Sequence, residues 1–233
     1  MKADHHSVEK LNQSLNDPET LRKFKEKYDG YKPGFFPRML GNLLIWIGNK
    51  VYGEKPSYLK FRAIEVIARV PYHSWSSAVY TWLTLFYTDE KNAMKYSNVA
   101  HFSEHAQENE TMHVVVISNL ARGNAKANMF FHTFLPMFFA FFYFWASYWM
   151  YILSTRSSYE LNYLFEQHAF DQYDEFLTLH EEALKARPMK SEFLEWYGRK
   201  AENHYEFFQS IRNDELIHRN QSIEEMEKLS WNE

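Results

Sequence analysis

Glu110 with His113 and Glu215 with His218 each set a carboxylate and an imidazole three residues apart. On a helix both side chains of such a pair project from one side, so each pair can bind one metal ion. A chain of this composition would hold about one Glu-x-x-His match by chance, and a solvated helix face accounts for either pair taken singly. Their company changes the reading. Glu65 sits in AIEVIARVPY and Glu166 in YLFEQHAF, apolar and aromatic surroundings in which a lone carboxylate is costly unless paired, protonated or metal-bound. Helical bundles that hold two metal ions draw a Glu-x-x-His from each of two helices and one Glu from each of two others. Four carboxylates neutralise two divalent cations, which makes burial of the cluster feasible. The chain has no cysteine, which removes thiolate zinc sites, iron–sulfur clusters, disulfides and cysteine nucleophiles together. Oxygen and imidazole donors without sulfur suit iron or manganese.

The elements that must position these residues read as helices. Beta patterning is weak, and only seven glycines are available for turns. Beyond a polar N-terminal arm over residues 1–32, the periodicity predicts helices near Phe35–Val51, Ser57–Thr88, Glu90–Ala121, Ala125–Leu153, Ser157–Ala186 and Ser191–Leu229. Gly123-Asn124 and Arg187-Pro188 punctuate them, and Ser191 is placed to cap the last. At 233 residues one domain is expected: an all-α, ferritin-like four-helix bundle over 57–229 with apolar interfacial helices added.

The stretch Met129–Leu153 carries no Asp, Glu, Lys or Arg in 25 residues and is long enough to cross a bilayer. Pro136 and His132 interrupt it, and aromatics outnumber aliphatics. A full crossing would also put Glu110 and His113 on the opposite side of the membrane from Glu166. A monotopic seat in one leaflet is therefore favoured over a span, with Phe35–Tyr52 as a second interfacial helix. Six basic residues against two acids between positions 38 and 69 fit a neighbouring anionic lipid surface. A net charge of −4 without long runs of like charge gives no reason to expect nucleic acid. Residues 1–16 show no signal- or transit-peptide pattern, so the protein is expected to be made where it works or to be a mature form.

The runs IEVIARVPY (64–72), ENETMH (108–113), YILSTRSSY (151–159), FEQHAFDQYDEFL (165–177) and IRNDELIH (211–218) resemble the alternative oxidase family, and its plastid terminal oxidase branch more than its mitochondrial one. The resemblance implies a di-iron, interfacial quinol oxidase with Glu65, Glu110, His113, Glu166, Glu215 and His218 as the ligands of two non-haem iron ions. It implies Tyr173 as the redox tyrosine, and it places Asn109, Asp214 and Tyr151 near the centre, the first two orienting ligands. Lys60, Ile64, Ala169 and Gln172 are the implied quinol-binding residues. Lys60 stands where the family usually has Arg, Ile64 where it has Leu, and Tyr80 where it has His, and the long loop of plastid members before the last helix is nearly missing.

The activity so implied is oxidation of quinol, with plastoquinol favoured over ubiquinol, and reduction of O2 to water without proton pumping. The implied setting is a homodimer on a thylakoid or bacterial inner membrane. Three rivals remain at this point: a quinone-ring hydroxylase on the same site, a ferritin-like iron-binding protein, and a membrane-interface bundle without metal.

Overall fold

A computed structural model describes residues 2–124 and 126–230, and every regular element among them is a helix. In chain order these are α1 (Lys2–Ser14), α2 (Pro18–Asp29), α3 (Phe35–Tyr52), α4 (Tyr58–Ala68), α5 (Val70–Phe86), α6 (Glu90–Asn124), α7 (Leu135–Leu153), α8 (Thr155–Lys185), α9 (Glu192–Tyr197) and α10 (His204–Ser230). Helices α4, α6, α8 and α10 form the site-bearing bundle: α8 packs along α10, α6 along α4, and α10 also meets α6. One core cluster gathers Phe61, Met112, Ile117, Phe176, Phe208 and Ile211 at one end of this bundle. A second gathers Tyr72, Trp75, Val79, Tyr151 and Tyr159 between α5, α7 and α8.

The expected single helix over Ser57–Thr88 is two. Ser57 caps α4 by accepting from the Lys60 N–H at 3.2 Å. Pro71 has no N–H to offer the carbonyl of Ile67, four residues back, and the helix re-forms after Arg69 as α5. A second proline acts in the same way. Ahead of Pro136 the ladder widens into a π-helical turn over Phe130–Phe134, with the Leu135 N–H bonded to the Phe130 carbonyl. The expected start of this helix at Ala125 lies outside the described residues.

Ser191 does not cap the last long helix. It caps the short α9, accepting from the Leu194 N–H at 3.2 Å, and α9 ends at Gly198, whose φ of +95° only glycine adopts without strain. The Asn203 side chain then accepts from the Glu206 N–H at 3.0 Å while Glu206 accepts from the Glu202 N–H at 2.7 Å, a reciprocal cap that starts α10.

The polar arm is also helical. Asp17 and Pro18 start α2, and both α1 and α2 lie on α10. Polar groups join them to it: Asn213 donates to the Asn12 carbonyl at 2.9 Å, Asn220 to the Phe24 carbonyl at 2.8 Å, and Arg219 to Asp29 at 2.7 Å. Apolar residues take part as well: Leu15 is fully buried, and Leu21, Phe24 and Tyr28 of α2 are half-buried at helical spacing.

Candidate metal centre

Each of the four bundle helices presents its acidic residue inward at the same level: Glu65 from α4, Glu110 and His113 from α6, Glu166 from α8, and Glu215 and His218 from α10. All six are buried, none more than 3% exposed. They form two overlapping groups, Glu65/Glu110/His113/Glu215 and Glu110/Glu166/Glu215/His218, in each of which the candidate donor atoms lie within 4.8 Å of one another. Glu110 and Glu215 belong to both groups. The arrangement has the form of two metal positions joined by two shared carboxylates, each completed by one further Glu and one His.

The polar atoms facing this space support the same use. Glu65 Oε2, both oxygens of Glu110 and of Glu215, and Nδ1 of His113 and His218 are buried without a hydrogen bond. Native proteins rarely leave so many buried polar atoms unmet in one place. His113 Nδ1 lies 3.5 Å from Glu65, 3.4 Å from Glu110 and 3.4 Å from Glu215, and His218 Nδ1 lies 2.9 Å from Glu110.

Electrostatics point the same way. Burial pushes the Glu65 carboxyl up to about 7 despite the neighbouring His113, and burial also raises Glu166. Glu215 is raised well above its usual range by burial and by the charges of Glu110 and Glu166. For Glu110, burial is outweighed by His113 and His218, and the group is lowered. Burial is likewise outweighed at His113, which Glu110 and Asp214 hold well above the usual imidazole range. Four carboxylates cannot all ionise here against two imidazoles alone. Two divalent cations would allow it.

The surroundings hold the candidate ligands in place. Asp214 Oδ2 lies 3.0 Å from His113 Nε2, and Asn109 donates to the same Asp214 oxygen at 3.1 Å. Tyr173 donates its hydroxyl to Glu65 Oε1 and stacks on Phe61 with ring centroids 4.0 Å apart. Tyr151 is placed otherwise. It lies in the aromatic cluster against Trp75 at 6.0 Å and Tyr159 at 5.9 Å, and is separated from Glu166 by Trp75 and Tyr72. The tyrosine that touches a candidate ligand there is Tyr72, which donates to Glu166 Oε1 at 2.7 Å and accepts from Asn162 at 2.9 Å. Neither residue was among those expected, although Tyr72 closes the run IEVIARVPY.

Beside the centre lies a cavity of about 150 Å³ between α3, α4, α7 and α8. Ile64, Ala169 and Gln172 line it with Leu44, Gly48 and Tyr173, and it reaches Glu65 and Glu166. Lys60, expected in the same group, is not in its wall. Its ammonium is turned inward, donating to Gln172 at 2.6 Å, Asn49 at 2.9 Å and the Glu54 carbonyl at 2.9 Å. Lys60 thus orients the Gln172 amide. His168, on the wall, is kept neutral by burial and by Lys60, its imidazole lowered to about 4.

The fold and site together define a helical bundle with a carboxylate-rich candidate dinuclear metal centre. The chain matches the alternative oxidase family over residues 2–225 and belongs to it. It is 30% identical over 199 residues to the protein described as "Ubiquinol oxidase 4, chloroplastic/chromoplastic" of Arabidopsis thaliana, an alignment covering 77% of this chain. The chain spans about half the length of that relative, 54% of which is aligned. No solved structure matches the chain.

Proposed function

We propose that this protein is a membrane-bound quinol:oxygen oxidoreductase with two non-haem irons, coupling oxidation of two quinols to reduction of one O2 to two waters. The observation that carries this reading is the pair of overlapping Glu/His groups sharing Glu110 and Glu215 beside an apolar cavity. Glu65 and His113 would complete one iron position, and Glu166 and His218 the other. Bound iron supplies the oxygen-binding and electron-storing chemistry that these side chains lack.

The residues around the centre divide the remaining tasks. The apolar cavity admits the quinol ring, and Gln172, oriented by Lys60, offers a polar group to one ring oxygen. Tyr173 can release an electron towards the centre and its proton to Glu65 Oε1, the atom to which it already donates. Asp214 and Asn109 hold His113 in the tautomer that turns Nδ1 inward. Four electrons and four protons from two quinols balance the reduction of O2 to two waters, so no proton displacement is required by the stoichiometry.

The exposed surface supports the membrane setting. Phe35, Phe36, Met39 and Trp46 of α3 are exposed, as are Phe138, Phe141, Trp145 and Trp149 of α7. Tyr52 joins the end of α3 to the turn before α7 through the Phe131 carbonyl at 2.9 Å. The stretch Phe130–Leu153 is long and apolar enough to cross a membrane, yet it packs along α4 and α5, beside the same bundle in which Glu110 and Glu166 meet. A monotopic seat, with the cavity facing acyl chains, accommodates both facts. Plastoquinol is the favoured donor over ubiquinol, supported by the likeness of IARVPY to the plastid branch. A thylakoid or bacterial inner membrane is the proposed location and a homodimer the proposed assembly.

Oxygen uptake by the purified, lipid-supplemented protein, with plastoquinol and ubiquinol analogues compared, tests this reading. Consumption of about one O2 per two quinols without an oxygenated quinone product is expected. An oxygenated product would instead identify a hydroxylase.

A further inference from the structure

One ionic network runs from the candidate centre to the N-terminal helix. Asp214, beside His113 Nε2, is gripped from several sides. Arg199 donates through Nη1 to Oδ2 and through Nη2 to Oδ1 at 3.1 Å, and Asn12 of α1 donates to Oδ1 at 2.6 Å. The outer edge of the guanidinium meets Glu9 of α1, with Nε and Nη2 at 3.0 and 2.9 Å from Oε2. Arg199 is 3% and Asp214 1% exposed. Gly198 turns the chain after α9, and the Arg199 N–H closes that turn on the Leu194 carbonyl at 3.1 Å.

A buried ion pair adds little to stability over apolar packing of the same volume, so its value here lies in what it holds still. With metal bound, a fixed carboxylate at Nε2 would keep the proton on that nitrogen and leave the Nδ1 lone pair for the ion shared with Glu65, Glu110 and Glu215. Among the described residues, His218 has no comparable carboxylate on its outer nitrogen; its ring packs on Tyr72 with centroids 5.4 Å apart. The two halves of the centre are therefore supported unequally.

We propose that Arg199, held by Glu9 and Asn12 of α1, is a positioning residue for the Glu65/His113 half of the metal centre, so that the N-terminal helix governs the affinity of one metal position. This rests on the di-metal reading above. A further consequence is that changes in α1 alter metal occupancy without touching a ligand.

Anaerobic Fe2+ titration of the metal-depleted full chain tests it, with iron per chain and Mössbauer doublets recorded for wild type, Arg199→Ala, Arg199→Lys and Glu9→Gln. Wild type should bind two irons. Arg199→Ala should weaken one position by about 10- to 100-fold and leave the other unchanged, the range found when partners of ligating residues are removed. Arg199→Lys should recover part of the loss, and Glu9→Gln should shift the same position by less. If Arg199→Ala does not fold, Glu9→Gln, at the more exposed end of the network, decides. Unchanged binding at both positions, or equal weakening of both, would overturn the inference. Wild type that binds no iron would instead overturn the di-metal reading on which it rests.

Discussion

Tyr173 donates its hydroxyl to Glu65 from a ring that lies stacked on Phe61 in the buried bundle. The contact joins an oxidisable side chain on α8 to a candidate ligand on α4, and the same tyrosine lines the apolar cavity. Replacing only the hydroxyl separates redox use from packing. Tyr173→Phe should keep two irons per chain and the stacking on Phe61, and lose at least about a hundredfold in quinol-dependent oxygen uptake, the lower end of the range for losing a proton-transfer group. Uptake at the wild-type rate would assign Tyr173 to packing alone.

Lys60 bears on substrate binding through Gln172. Lys60→Met keeps the volume and removes the donor shared by Gln172, Asn49 and the Glu54 carbonyl. The expected result is a KM for quinol raised about tenfold, about 1.4 kcal/mol, with iron content unchanged. Steady-state kinetics with metal analysis on the same preparation would check it.

The exposed aromatics of α7 are expected to seat the protein on lipid. Changing Phe138, Phe141 and Trp145 together to Ser removes side chains each worth about 1.5–3 kcal/mol when fully buried. Vesicle co-sedimentation should fall by more than about tenfold, while oxidation of a water-soluble quinol analogue persists. Unchanged sedimentation would place the membrane contact elsewhere.

Away from the centre, His204 gives the fold a pH dependence of known sign. Burial, and then the Arg187 guanidinium, hold its imidazole below the usual 6.5, with the Tyr58 hydroxyl 2.8 Å from Nδ1. Below pH 6.5 the unfolded chain therefore binds a proton that the folded chain resists. The stability tied to this group is complete above that pH and is lost as pH falls through the folded value. His204→Gln keeps an acceptor for Tyr58 and removes the titration, so its unfolding midpoint should depend less on pH in that range than wild type does.

The candidate ligands were legible in the sequence because their signals are local. Two Glu-x-x-His pairs and two glutamates set among apolar residues can each be read within a single helix. Residues that act across helices left no such trace: Tyr72 meets Glu166 from α5, and Arg199 reaches Asp214 only because Gly198 turns the chain. Helices α1 and α2 read as a polar arm because charged residues dominate them, although Leu21, Phe24 and Tyr28 lie at helical spacing. The break at Arg69 was readable in principle from Pro71, but the apolar pattern runs through it and concealed the boundary. Lys60 is a quinol-site residue only by the resemblance; no local signal in the sequence tells that its long side chain satisfies three acceptors behind the cavity wall.

Iron per chain, determined together with quinol-dependent oxygen uptake in wild type and Glu166→Ala, tests the central claim most directly. The account predicts close to two irons per chain in wild type, with uptake and the dinuclear iron lost together when Glu166 is removed. A wild-type protein that oxidises quinol without iron, or a Glu166→Ala variant that keeps both irons and full uptake, would contradict it.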